Sequence, residues 1–504
     1  GGGRGGMRRG ARAAAAAGAA PLEAGGGWRA RARPVPGGGR YPAGDFCSRC
    51  GLCDTYYVAQ VGEACAFLGP GMARAEALEE RVHGRGRDAA SDERHFGVFQ
   101  ERFAAAMAPP VDGAQWTGTV TSVAIAALES GLVEAVVCVQ SHPDDPLRPM
   151  PAIARTREEV LASRGVKPSL SPSLEVLAEV EAQGIRRLLF IGVGCQVIAL
   201  RSVEHHLRAA GLEELYVMGT FCADNGHAEG LQKFLRETSC DPATVTGYEF
   251  MQDYRVHLKH STGQYEKIPY FCLDANTLSE GVIAPSCASC FDYVNSLADL
   301  VVGYMAVPYM QVPMTAHPTI VHVRNRRGVE LLEPVRGRMV ETPLEDSGDR
   351  KPFVLETLLS DDRAALGRVQ APAPLPVGEA LATVLEKVGP KGLEFARYSI
   401  DYHSLRSALK VKRGFSAKHA GQHIPSYAAA TFAEYDKGGA LSERTQWSSW
   451  AEEEAAQAAK RRRRLDAALA ALSSARGLRR FALPLLTVAA LLGAVAFGAA
   501  NYTG

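Results

Sequence analysis

The chain has 504 residues, 46% apolar and 22% charged, with a formal net charge of +1. That is enough for two to four domains with substantial cores, and it excludes general disorder and a multispanning membrane protein. The charge is uneven, with +7 in residues 1–40, +4 in 451–504 and −10 in the body between them, so a nucleic-acid partner, which needs a basic face, is excluded as well.

Residues 1–40 are rich in Ala, Gly and Arg with one acid, Glu23. This composition resembles an organellar transit peptide, although Ser is scarce; a disordered low-complexity tail is the plainer reading. The segment is set outside the expected fold. Beyond it, short aliphatic runs at 133–140, 187–194 and 214–220 alternate with helical patterns at 119–130, 171–183 and 196–210. Alternation of this kind predicts an α/β core, with α+β elements, around a partly parallel sheet. Residues 248–270 alternate more strictly and carry a Thr-Gly turn, which predicts an antiparallel hairpin. Pro-rich 371–376 reads as a linker. At the far end, residues 481–500 are twenty uncharged residues behind a basic run. That length just spans a hydrocarbon core, although the Ala and Gly content also suits a buried or interfacial helix.

The cysteines carry the chemistry. Cys47, Cys50 and Cys53 form C-x₂-C-x₂-C, with Cys65 close behind. A tight turn of this spacing wraps three thiolates round one side of an iron-sulfur cube, and Cys65 is the nearest fourth ligand. Zinc and disulfides are the weaker alternatives, since zinc favours two pairs and a chain of this size needs no staples. Cys195 and Cys222 each follow a predicted strand, and Cys287 and Cys290 form a close pair. Strand ends of an α/β sheet converge at one edge, which groups these four as a second site. Small buried hydrophobes remain the plainer account of Cys195 and Cys222.

No G-x-G-x-x-G follows a strand, so Rossmann-type dinucleotide binding is not supported. The turn Gln115-Trp116-Thr117-Gly118-Thr119 opens a helix, and its free amides and positive dipole end suit an anion; an ordinary helix cap by Thr117 or Thr119 is the alternative. Arg155 and Lys167 flank a second Ser/Pro turn and add positive charge to such a site.

Several stretches carry a resemblance: YPAGDFCSRCGLCDTYYVAQVGEACAFLG (41–69), DGAQWTGTVTSVA (112–124), LVEAVVCVQ (132–140), LLFIGVGCQVIALRSVEHHL (188–207), LYVMGTFCADNG (215–226), YEFMQDYRVHLKH (248–260), APSCASCFDYVNSLADLVVGYM (284–305) and GPKGLEFARYSIDYH (389–403). Over about 41–435 the chain resembles the ferredoxin-dependent branch of the deazaflavin-hydrogenase beta-subunit family. The resemblance implies an FAD enzyme with two four-iron clusters, fed by reduced ferredoxin and acting on a chlorophyll-type pigment in the chloroplast. Reduction of a hydroxymethyl group is the first expectation. Saturation of a vinyl group, as in the divinyl chlorophyllide reductases of that branch, is the close rival, and a cluster-bearing electron-transfer subunit is the rival of another class. A zinc scaffold would be colourless.

The implied layout is a transit or disordered segment (1–40), an iron-sulfur segment (41–110), a flavin-bearing N-terminal domain with mixed sheet (111–210), a C-terminal domain with the second cluster (211–370), an α/β extension (371–440) and a basic tail (441–504). A flavin joins one-electron clusters to two-electron chemistry, and an acid must help hydroxide leave. Asp224, Asp253, Tyr254, His257 and Asp292, all in motif stretches, are the candidate acids. Arg186, Arg187, Arg201 and Lys351 are the expected basic dock for an acidic ferredoxin. The apolar tail is expected to tether the enzyme to the stromal face of the thylakoid, and a homo-oligomer is compatible with the sequence.

Overall fold

The computed structural model describes residues 27–37, 39–274, 281–365 and 371–445, with isolated positions 459, 462, 463 and 466. The apolar run 481–500, and with it the expected anchor, lies outside the described residues. Among the described residues no helix is long and apolar enough to cross a membrane.

In chain order the strands are β1 (Glu101–Met107), β2 (Ala135–His142), β3 (Asp145–Ala154), β4 (Arg187–Gly192), β5 (Glu214–Thr220), β6 (Val245–Phe250), β7 (Arg255–His260), β8 (Tyr265–Pro269), β9 (Leu300–Gly303), β10 (Thr319–Val323), β11 (Met339–Thr342), β12 (Asp346–Ser347) and β13 (Lys391–Gly392). The main sheet runs β11-β1-β10-β9-β5-β4-β2-β3. Its centre, β9-β5-β4-β2, is parallel, and antiparallel pairs flank it on both sides. A separate antiparallel sheet, β6-β7-β8, contains the expected hairpin and one strand more.

Central parallel strands are covered on both faces, and this explains their unbroken apolar runs. Side chains alternate across the sheet. Leu188, Phe190, Leu215 and Val217 face helices α1 (Arg74–His83), α3 (Gly194–Ala209) and α5 (Leu393–Gly414). Leu189, Tyr216 and Met218 face α2 (Thr119–Glu129) and α4 (Arg326–Arg336). The expected strands and the helices at 119–130 and 196–210 all appear at nearly the expected bounds, while 171–183 narrows to a short helix, Leu177–Ala182.

Two expectations need correction. The extension 371–440 is helical rather than α/β, with β13 as its one two-residue strand among the described residues; α5 buries Ile400, Leu405, Ala408 and Leu409 at helical spacing. Residues 27–37, set outside the fold by composition, pack onto it. Trp28 lies against Tyr56, Tyr57 and His206, and Arg29 bonds Glu181 at 3.1 Å.

Arg201, on α3, is fully buried. Its guanidinium donates to Asp299 at 2.8 Å and to the Leu297 carbonyl at 3.1 Å, while Asp299 also accepts from Val217 N–H and Asn325. The group ties α3 to the loop before β9 and cannot meet a partner protein. Removing one member of a buried pair strands the other charge. Arg201→Met is therefore expected to lower stability by about 3–5 kcal/mol, read as a reduced urea midpoint at unchanged slope.

Candidate redox site

The first thiol set is built on tight turns. Gly51, at φ +93°, lets the chain double back between Cys50 and Cys53; a Cβ there would lie 2.4 Å from the Pro172 carbonyl oxygen. The Cys50 carbonyl accepts from Leu174 N–H at 2.8 Å, which seats the turn on the segment before Leu177–Ala182. Cys65 follows the short helix Val61–Ala64. Two sulfurs already accept backbone amides, Cys47 from Arg49 at 3.3 Å and Cys65 from Phe67 at 3.4 Å.

The second set gathers at the carboxyl ends of β4, β5 and the loop before β9. Cys195 occupies the first turn of α3 just after β4. Cys222 lies two residues beyond β5, and its N–H donates to the Tyr293 carbonyl at 2.9 Å. Cys287 and Cys290 bracket a single 3₁₀ turn, held from outside by His423 on the Ser289 carbonyl and Tyr427 on the Phe291 carbonyl. Gly194 makes the approach feasible, since a Cβ there would meet the Asp292 carbonyl oxygen at 2.4 Å. Gly194→Ala is expected to push α3 from this loop and spread the second thiol set while the first keeps its geometry, which iron analysis would read as a selective loss of any metal the second set holds.

All eight thiols are held above the ordinary cysteine value, by burial first and, for all but Cys47 and Cys287, by neighbouring thiols in part, with Cys53 and Cys287 pushed up to about 12. The thiols influence one another mainly in two groups. Cys50 feels Cys65, Cys53 and Cys47, whereas Cys222 feels Cys287 and Cys195, and Cys290 feels Cys287 and Cys222. One cross-link joins the sets, because Cys195 also feels Cys50. Among the described residues no three His, Cys, Asp or Glu come together as ligands of a single metal ion. Cys138 is buried in β2, and Cys240 and Cys272 stand apart from both sets.

A cleft of about 440 Å³ opens between the main sheet and β6-β7-β8. Gln115 and Lys167 line it, with Arg164, Lys259 and His260, which the sequence did not single out. Burial lowers the Lys167 ammonium to about 8, and its Nζ donates to the carbonyls of Ser163, Arg164 and Gly165. Gln115 Nε2 is buried without a partner. The neighbouring amides differ from expectation. Trp116 N–H donates to Met314, Thr117 N–H to Thr315 and Gly118 N–H to Gln115, so the turn is a joint to residues 314–315 rather than an open anion nest. Thr117 Oγ1 accepts from Met107 N–H, Trp116 stacks on Tyr304 at 4.7 Å, and Thr119 begins α2. Arg155 is not part of the cleft lining and donates to Gln183 instead.

The five candidate acids separate. Asp224 accepts two 2.8 Å bonds from Arg406, and the guanidinium holds it far below the usual carboxylate range against the pull of burial. Asp292 is buried, accepts from Ser296 N–H and packs under Gly194. Tyr254, at φ +59°, has a buried hydroxyl without a partner, facing Gly389. Asp253 and His257 are paired: Nε2 lies 2.8 Å from Asp253 Oδ2, both side chains are buried, and Nδ1 has no partner. Directly across the strands from His257 stands Glu249, whose carboxyl burial pushes up to about 7. The Glu249 signal was present as an acid in an alternating strand of a motif stretch. Arg406, one turn beyond Asp401-Tyr402-His403, had no local signal.

Residues 185–346 match the family model for the C-terminal part of the coenzyme F420 hydrogenase/dehydrogenase beta chain, and residues 102–178 match that for its N-terminal part. The chain is 58% identical over 416 residues to a 7-hydroxymethyl chlorophyll a reductase, chloroplastic, of Oryza sativa subsp. japonica, covering 82% of this chain and 88% of that protein. It is 48% identical to an uncharacterized protein of Nostoc sp. (strain PCC 7120), covering 80% and 97%. It is 28% identical to a coenzyme F420 hydrogenase subunit beta of Methanosarcina barkeri, covering 39% and 66%. The chain is an oxidoreductase. Its particular family is that of the coenzyme F420 hydrogenase/dehydrogenase beta subunits, to which it belongs.

Proposed function

We propose that the chain reduces the hydroxymethyl group of 7-hydroxymethyl chlorophyll a to a methyl group, in the chloroplast, with electrons from reduced ferredoxin. The observation that carries this is the 58% identity to the rice reductase over 88% of its length. The balance is two electrons and two protons: the carbon–oxygen bond breaks, a carbon–hydrogen bond forms, and oxygen leaves as water.

Two four-iron clusters suit the two thiol sets. Eight largely enclosed thiols with raised pKa values are poor anions on their own, and bound iron is the positive charge that would hold them as thiolates. Cys47, Cys50, Cys53 and Cys65 would hold one cluster and Cys195, Cys222, Cys287 and Cys290 the other, and the electrostatic influence of Cys50 on Cys195 supports placing the two near each other. Clusters and an FAD would together supply the exchange between single electrons and the pair delivered to carbon. The cationic lining of the cleft and the unpartnered amide of Gln115 suit the phosphates of an FAD.

The Asp253–His257 pair is the proton donor in this account. Asp253 fixes the ring through Nε2, which leaves Nδ1 as the nitrogen without a protein partner. Glu249 holds a further proton on the opposite strand. Asp224 is a charge partner of Arg406 beside Cys222, not an acid.

Anaerobic incubation with reduced ferredoxin and each of two pigments tests the substrate. Conversion of the 7-hydroxymethyl pigment, with the divinyl pigment untouched, is expected. Conversion of the divinyl pigment alone, or of neither without an added partner enzyme, would overturn the assignment in favour of a vinyl reductase or an electron-transfer subunit.

A further inference from the structure

The basic residues expected to receive ferredoxin are engaged elsewhere. Arg186 pairs with Glu213, Arg187 with Glu134 and Lys351 with Glu434, and Arg201 is buried. One group of exposed cations lies close together in sequence near the first thiol set. Arg31, Arg33, Arg40 and Arg49 are exposed and have no carboxylate partner among the described residues.

Arg31, Arg33 and Arg49 border the first thiol set, and Arg40 precedes Tyr41 in the same segment. The segment carrying Arg31 and Arg33 is tied to the first thiol set by Val35 N–H donating to the Cys53 carbonyl at 2.8 Å. Arg49 sits between Cys47 and Cys50, 4.9 Å over the ring of Tyr41, and Tyr41 holds Asp54 at 2.7 Å. Asp45 is the one exposed acid between residues 27 and 54, and Glu63 the next along the chain. Arg31 and Arg33 also flank a shallow hollow of about 390 Å³ floored by Ala32, Val58 and Ala59. An apolar centre with a charged rim is the anatomy of a transient protein interface. Cys47 is half-buried, and exposed Arg49 follows it by two residues, so the patch borders the first thiol set directly.

We infer that Arg31, Arg33, Arg40 and Arg49 form the docking surface for an acidic one-electron donor protein, placed over the first thiol set. The inference rests on the proposed ferredoxin dependence and names its location. On a body of net −10, this local positive field selects and orients an acidic partner that the rest of the surface repels. One electron leaves the donor's cluster and one enters the first cluster here, with no bond made or broken.

The test uses the anaerobically purified, cluster-loaded chain, reduced either by ferredoxin or by dithionite. Three forms are compared with wild type: Arg31→Glu/Arg33→Glu, Arg40→Glu, and Arg326→Glu/Arg327→Glu on α4 as a control that matches the double variant in charge. Reduction by ferredoxin at low salt is expected to slow about 10-fold or more in the double variant and less in Arg40→Glu. The control should match wild type, and all forms should converge at about 1 M salt, where the Debye length is about 3 Å. Dithionite reduces every form alike if the clusters are intact. Equal ferredoxin rates in wild type and both patch variants would overturn the surface while leaving the donor in place. A wild type that dithionite reduces and ferredoxin does not would overturn the donor, and the surface with it.

Discussion

Replacing His257 with Ala is expected to lower pigment turnover about 10²–10⁴-fold, the usual range for loss of a general acid. The imidazole is fixed through Nε2 by Asp253 and has a second nitrogen with no protein partner, which is the arrangement of a group that gives its proton to something else. Iron content, flavin absorbance and reduction by ferredoxin should stay at wild-type levels, because the pair lies on β7 and the turn before it, away from all eight thiols in sequence and sheet. Asp253→Asn should reproduce most of the loss. Glu249 adds a pH signature. Its carboxyl is raised from 4.5 to about 7, so it carries its proton below that value and loses it as pH rises through it. Turnover should therefore fall above about pH 7, and Glu249→Gln should flatten that limb. An unchanged profile in Glu249→Gln would remove the residue from the proton supply.

The second large effect is expected at the junction of the thiol sets. Cys195→Ser should take iron from about eight to about four atoms per chain, abolish pigment turnover and still allow the first set to be reduced. Cys50→Ser should lose the first set instead and with it reduction by ferredoxin. The asymmetry follows from Cys50 lying in the first thiol set, beside Cys53 and Cys65, and Cys195 in the second, beside Cys287 and Cys290. Loss of both sets from either single change would mean that they assemble as one unit.

Much of this site was legible because its residues are punctuated by chemistry the chain cannot hide. C-x₂-C-x₂-C is local, and Cys195 and Cys222 follow apolar runs whose β character is strong, so the strand-end rule offered a grouping that the family resemblance strengthened. The central strands were equally plain, because burial on both faces leaves continuous aliphatic runs. What escaped were relations across the fold. Arg201 and Arg186 look alike as charges in sequence, yet one is buried beneath the sheet and the other is paired at the surface. The amides of Trp116 and Thr117 were free only until residues 314–315 came alongside. Composition placed Trp28 outside the fold, although a single aromatic ring with two tyrosines to meet is enough to fasten a segment.

Counting electrons against product tests the whole account most directly. Purified chain, reduced ferredoxin and 7-hydroxymethyl chlorophyll a are mixed without oxygen, and ferredoxin oxidation is followed with pigment formation. The account predicts about two ferredoxins oxidised for each chlorophyll a formed, since a four-iron cluster passes one electron at a time, and no comparable turnover with NADPH alone. Efficient turnover with NADPH in place of ferredoxin, or ferredoxin oxidation without chlorophyll a, would contradict it.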